Sequence, residues 1–299
     1  MSETTNSKSI GMSLKEAAER LAAVSETSRL DAELLMQKIL GLERHELICR
    51  QNECLSPDKE AAFEELVLRR IKHEPIAYIR GLKEFWGILF EVGPGVLIPR
   101  PATELLVELA LAAAAKMTGE LHIADLGTGS GAISVAIASE LKNRNRNFKI
   151  EALDWSDEAL RFAQKNVDRY GLRDFINLGK SNWFEALENS KSCFDIIVSN
   201  PPYIAEDDES VMPDLAYEPR QALFSGPEGL DAIRELLFKV PEYLKEGGAF
   251  FCEFGATQKE LIENFIKNNE FLSSNFVCSF YKDLSNFDRA LKLEFKQLV

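Results

Sequence analysis

Apolar residues recur at helical spacing through the N-terminal quarter of the chain. Leu14, Ala17, Ala18 and Leu21 form one stripe behind Ser13 and Glu16, whose spacing is that of a capping box, and the polar residues up to about Ile10 read as a frayed tail. A second helix is expected over Ser28–Leu40, with Leu30, Leu34, Leu35 and Ile39 facing inward and Gly41 as its C-cap. A third begins at Ser56–Pro57, a cap residue followed by proline at the first helical position, and places Phe63, Leu66, Val67 and Ile71 on one side. None of these helices buries its stripe alone, so residues 1–74 are expected to pack as a small helical domain.

The period then changes. Residues 75–95 carry short apolar and aromatic runs punctuated by Gly81, Gly87 and Gly93, the pattern of a hairpin-like linker. A helix with Thr103 as N-cap follows. From there to residue 299 strand-like and helix-like segments alternate: strands at Leu121–Asp125, Phe148–Leu153, Phe175–Leu178, Phe194–Ser199, Ala249–Phe254, Asn275–Phe280 and Arg289–Phe295, with helices from Ala132, at Asp157–Tyr170, Leu230–Leu244 and Gln258–Asn268. That alternation predicts an α/β domain in which a mostly parallel sheet is covered by helices on both faces.

Composition narrows the function classes. The 299 residues are 45% apolar and 28% charged, with a net charge of −13, as expected for a globular protein. Residues 1–87 hold 13 basic and 15 acidic groups, so most of the negative charge falls on the α/β portion, which argues against broad nucleic-acid binding. The longest apolar run, around Leu105–Ala115, is too short to span a bilayer, and the first residues lack the apolar core of a secretory signal. A cytoplasmic address is expected. Cys49, Cys54, Cys193, Cys252 and Cys278 form no CxxC pair, and His45, His73 and His122 belong to no metal-binding pattern. No metal is therefore expected, and the last three cysteines are read as buried thiols.

The segment IADLGTGSGAIS places Gly127, Thr128, Gly129, Ser130 and Gly131 between a strand and a helix. Glycines there permit a tight turn and close approach of a ligand to backbone, and the helix N-terminus offers free N–H groups. Asp154 closes the next strand, where a carboxylate can accept both hydrogen bonds of a ribose diol. Asp125, just before the turn, opposes a pyrophosphate but suits a cationic amino group, which favours S-adenosylmethionine over a dinucleotide. Trp183, in SNWF, is placed to pack on adenine.

The most informative segment is FDIIVSNPPYIAEDD. A continuous apolar strand delivers Asn200, Pro201, Pro202 and Tyr203 to the C-terminal edge of the sheet. The prolines fix the backbone and remove donors, leaving a rigid set of acceptors. The Asn oxygen and a proline carbonyl can receive both hydrogens of a planar NH2 group, with the Tyr203 ring packed against it. This suits methylation of a poor nitrogen nucleophile, an amide or an exocyclic amine.

Together with DAELLMQKILG (Asp31–Gly41), EPIAYIRG (Glu74–Gly81), LIPRPATE (Leu97–Glu104), EPRQALFSGPEGLD (Glu218–Asp231) and EFGATQ (Glu253–Gln258), these motifs make nearly the whole chain similar to the bacterial-type peptide chain release factor N5-glutamine methyltransferases, often called HemK or PrmC. The resemblance implies a small N-terminal helical domain for substrate recognition before a Rossmann-like, seven-stranded methyltransferase domain at residues 96–299. It also implies S-adenosylmethionine as cofactor on Asp125, Gly127–Gly131, Asp154 and Trp183, and a substrate amide held by Asn200–Tyr203, the glutamine of a release factor's Gly-Gly-Gln loop. A monomer is expected. The chain departs from the family at Ala102, usually Glu, at Asn182, usually Asp, and at Asn286, often Gly. A glutamine methyltransferase for a large-subunit ribosomal protein is the nearest alternative, disfavoured by Pro99-Arg100-Pro101; an N6-adenine methyltransferase is disfavoured by charge. A non-catalytic binding protein would have no need of both motifs together.

Overall fold

The computed structural model describes residues 8–208 and 212–296, so residues 1–7 of the expected polar tail lie outside the described residues. The chain forms two compact units. The first comprises residues up to Leu82 together with Met212–Tyr217, and the second the remainder.

The first unit is helical: α1 (Ile10–Leu21), α2 (Ser28–Leu40), α3 (Arg44–Cys49), α4 (Pro57–Ile71) and α5 (Ile76–Arg80). Leu14, Leu21, Leu35, Met36, Phe63 and Val67 meet in its core. Two expectations need correction. The cap of α1 is Ser9, whose hydroxyl accepts the Met12 N–H, and Ser13 lies buried inside the helix. On α2, Leu30 is exposed and Asp31, Ala32, Leu35 and Met36 form the buried face. The reason is electrostatic: Arg70 on α4 donates to Asp31 at 2.9 Å and also pairs with Asp214 at 3.0 Å, so a charged residue can occupy the interior. Short 3-10 segment Pro213–Tyr217 is tied in further by the Tyr217 hydroxyl, which donates to the Lys72 carbonyl.

The expected linker is divided between α5 and a two-stranded hairpin, β1 (Leu82–Phe85) and β2 (Ile88–Glu91). Trp86 and Gly87 at its turn both have positive φ, as a two-residue hairpin of this hand requires. Trp86 bears that conformation because its N–H and indole are held by Glu104 and Glu140.

The second unit continues with α6 (Glu104–Ala114), β3 (Leu121–Leu126), α7 (Ala132–Asn143), β4 (Phe148–Asp154), α8 (Asp157–Arg169), β5 (Ile176–Lys180), β6 (Phe194–Ser199), α9 (Asp231–Lys239), β7 (Leu244–Glu253), α10 (Lys259–Asn268), α11 (Glu270–Asn275), β8 (Phe276–Lys282) and β9 (Asp288–Phe295). Its seven-stranded sheet has the order β5-β4-β3-β6-β7-β9-β8, parallel except for β9. This is the expected Rossmann-like methyltransferase arrangement. Both faces of β3 and β6 are covered, which is why Phe194–Ser199 reads as an apolar run. All five cysteines are free; Cys252 is buried, whereas Cys193 and Cys278 are only half-buried. Among the described residues no helix is long and apolar enough to cross a membrane, and no cluster has the makings of a metal site.

Candidate active site

Strand β3 is followed in sequence by β4 on one side, and β6 pairs with it on the other, so the chain diverges between the C-terminal ends of β3 and β6. Such switch points leave a crevice where α/β sheets bind ligands. Leu126 and Ser199 are register partners there, and Ser199 Oγ donates to the Leu126 carbonyl at 2.7 Å, locking the two strand ends together. The glycine turn, Asp154 and Asn200 all line one cavity of about 520 Å³, within the range of small-molecule sites.

Gly127, Gly129 and Gly131 have φ of 75°, 57° and 79°, a region in which side chains other than glycine are strained. A Cβ on Gly127 would meet the Trp183 ring at 3.4 Å, and one on Gly131 would meet Ala163 of α8 at 3.4 Å, both ordinary contacts, so the backbone conformation is what calls for glycine. Gly127, Thr128, Gly129 and Ser130 line the cavity; Gly131 instead caps α7 against α8. Asp154 Oδ2 accepts the Gly129 N–H and Oδ1 the Ser156 N–H, each at 2.8 Å. Each oxygen keeps a second lone pair, and the residue lines the cavity, so it can still accept a diol. Burial raises its pKa above the ordinary Asp value, against the pull of these amides.

Asp125 is fully buried beneath the turn and does not line the cavity. Its Oδ2 accepts the hydroxyls of Thr128 and Ser134, both at 2.7 Å, while Oδ1 has no hydrogen-bond partner among the described residues. Burial pushes its carboxyl up to about 6 despite those hydroxyls. A buried carboxylate with acceptor capacity to spare is compatible with a cationic amino-acid tail above it and unfavourable to a phosphate. The residues present therefore fit S-adenosylmethionine. Trp183 lines the cavity beside Asn182, whose Nδ2 donates to Glu185, and Trp155, following Asp154, adds a largely exposed indole to the rim.

In the Asn-Pro-Pro-Tyr loop, Asn200 and Pro202 line the cavity, whereas Pro201 is buried and Tyr203 faces the core. The Tyr203 hydroxyl donates to Glu253 Oε1 at 2.9 Å, and burial beside that carboxyl raises its pKa far above the usual phenol value. The Tyr203 carbonyl accepts Gln258 Nε2 at 2.8 Å, and a Cβ on Gly229 would lie 2.2 Å from the same oxygen. The loop is thus held by two segments distant in sequence, Glu253–Gln258 and the one that carries Gly229. Asn200 Nδ2 donates to Thr103 Oγ1 at 3.1 Å. Thr103, Asn182, Trp155 and Ser156 are cavity residues that motif reading leaves out of the site. Glu218 is buried and accepts the Ile98 N–H and the Arg100 guanidinium, joining the IPRP and EPRQ segments, whose Pro99, Pro219 and Gln221 line the cavity.

Comparison with known proteins agrees with this geometry. Residues 13–81 match the PrmC N-terminal domain family and residues 100–229 the methyltransferase small domain family. The chain is 41% identical over 255 residues to the release factor glutamine methyltransferase of Coxiella burnetii, covering 84% of this chain and 89% of that one. It is 35% identical to a bifunctional methyltransferase of Rickettsia conorii, of which it spans 57%. A methyltransferase structure from Pyrococcus furiosus superposes with a TM-score of 0.51 at 19% identity, covering 77% of this chain and 98% of that one, which bears on the fold alone. With 41% identity across most of both chains, and with its glycine turn and Asn-Pro-Pro-Tyr loop on one cavity, this chain belongs to the release factor glutamine methyltransferase family.

Proposed function

We propose that this protein transfers the methyl group of S-adenosylmethionine to the side-chain N5 of the glutamine in the Gly-Gly-Gln loop of peptide chain release factors. The observation that carries this reading is the shared cavity: Asn200, at the end of β6, lines the same space as the glycine turn and Asp154. S-adenosylmethionine supplies an electrophilic methyl on a sulfonium. Asp154 would accept the ribose hydroxyls, the turn at Gly127–Ser130 would give the cofactor backbone contact, and Trp183 would pack on its base. Asn200 Oδ1, with a carbonyl of the rigid proline pair, accepts the hydrogens of the substrate amide and sets its plane. An amide nitrogen is a weak nucleophile, so orientation matters more than a strong base. As the nitrogen attacks, its proton becomes more acidic and the bond to Asn200 strengthens, which favours the transition state over the bound substrate.

The helical unit, in this reading, recognises the body of the release factor, a division of labour that would let Asn200 address one glutamine among many. The protein acts in the cytoplasm as a monomer and needs no nucleic acid. Incubation with labelled S-adenosylmethionine and, separately, release factor, large-subunit ribosomal protein, DNA and RNA, followed by peptide mapping, tests the substrate. Label on the Gly-Gly-Gln glutamine is the expected result; label confined to ribosomal protein or to adenine would overturn it.

A further inference from the structure

Gln258 stands at the N-cap of α10, yet its side chain makes no capping bond to that helix. It is 6% exposed and turns back to the Asn-Pro-Pro-Tyr loop. Nε2 donates to three backbone carbonyls, those of Tyr203 at 2.8 Å, Glu228 at 2.9 Å and Gly229 at 3.2 Å, while Oε1 accepts the Gly255 N–H at 2.8 Å. A carbonyl can only accept and a backbone N–H can only donate, so these partners allow the amide one orientation. Its two hydrogens are shared among three acceptors. Two glycines clear the space around it: a Cβ on Gly229 would lie 2.8 Å from Nε2, and one on Gly255 would lie 2.9 Å from Oε1.

The amide does not line the cavity, but it holds the loop that does. Tyr203 is tied down through each of its polar groups: its N–H donates to the Leu223 carbonyl at 3.2 Å, its hydroxyl donates to Glu253 at 2.9 Å, and its carbonyl accepts from Gln258. Between Tyr203 and Asn200 stand only Pro201 and Pro202, whose rings lock φ. Two torsions that could absorb a displacement are thereby removed, and a shift of Tyr203 is passed along to Asn200. Strand β6 fixes Asn200 from its N-terminal side; Gln258 acts from the other.

We propose that Gln258 is a positioning residue for methyl transfer, whose side-chain amide fixes the Tyr203 carbonyl and so sets, through the rigid proline pair, where Asn200 stands at the cavity. This inference rests on the reading of Asn200 as acceptor for the substrate amide. It gives a part in the reaction to a side chain that lies outside the cavity.

The test is a double-mutant cycle on the full-length protein, read by single-turnover methylation at saturating release factor and by calorimetry with S-adenosylmethionine. Q258E keeps the size and the acceptor for Gly255 but supplies at most one hydrogen in place of two; Q258M keeps the length and supplies neither function. Both are expected to bind the cofactor within about twofold of wild type and to transfer methyl about 10–100-fold more slowly. In an N200A background either change is expected to add less than about threefold, because residues acting as one unit are not additive. A wild-type rate in either folded variant, or a full extra loss when either is added to N200A, would overturn the proposal. Loss of the fold or of cofactor affinity in both variants would also overturn it, by making Gln258 a residue of the scaffold alone. Wild-type rates in N200A alone would instead overturn the reading of Asn200 on which it rests.

Discussion

Asp154 and Gly129 are joined by a hydrogen bond of 2.8 Å, from the glycine N–H to the carboxylate that faces the cavity. The residue proposed to hold the ribose therefore also shapes the turn proposed to cradle the rest of the cofactor. Removing the carboxylate affects both. D154A is expected to lose about 2–4 kcal/mol of cofactor binding, and D154N less, since an amide oxygen still accepts from Gly129. Isothermal calorimetry decides it; equal affinity in both variants would remove Asp154 from the site.

Gly229 provides a way to disturb the Asn-Pro-Pro-Tyr loop without touching the proposed cofactor subsite. Its φ is +69°, and a Cβ would fall 2.2 Å from the Tyr203 carbonyl oxygen, which is backbone and cannot swing aside. G229A is expected to displace the Asn-Pro-Pro-Tyr loop, reducing methyl transfer by at least about tenfold while S-adenosylmethionine affinity changes little. Loss of cofactor binding in a folded G229A protein would contradict the separation of the two subsites.

The Asp125 carboxyl, raised to about 6 by burial, makes a signed prediction for stability. A carboxyl whose folded value exceeds its unfolded one, near 4, favours folding while protonated, and that contribution is lost as pH rises through 6. Relative to D125N, which carries no charge, wild type should lose about 2–3 kcal/mol between pH 4 and pH 7. Urea titrations of the two proteins across this interval supply the difference; a flat difference would mean Asp125 is ionised at pH 4 in the folded protein.

Arg70 is predicted to be the most sensitive position of the helical unit. It pairs with Asp31 at 2.9 Å, with side chains 7% and 5% exposed, so R70A leaves a carboxylate buried without its partner. A loss of about 3–5 kcal/mol is expected. Adding D31A should recover part of it, and the absence of any recovery would assign the loss to packing of the Arg70 stem instead.

Much of this was legible in the sequence, and the exceptions share a cause. Strand Phe194–Ser199 and helix Ser28–Leu40 were readable to the residue because apolar runs and a glycine cap mark their limits. The glycine turn and the Asn-Pro-Pro-Tyr loop could be placed on one edge because each follows a strand in an alternating pattern. Hydrophobic period says nothing of a charge that is buried against a charge, so Asp31 displaced Leu30 from the interior of α2. Thr103 was readable as a helix cap but not as a partner of Asn200, 97 residues away, because a hydroxyl at a helix start has the same local signature in either role. Glu253 likewise looked like an ordinary strand end. Helices α3, α5 and α11, of five or six residues, are too short to show a period.

Whether Asn200 organises a glutamine amide for methyl transfer is decided by single-turnover methylation of a purified release factor by wild type and N200A, with the product located by mass spectrometry. Methyl is expected on the side-chain nitrogen of the Gly-Gly-Gln glutamine, with a rate in N200A lower by about 10²–10³-fold and cofactor affinity nearly unchanged. A folded N200A protein that methylates glutamine at the wild-type rate would contradict it.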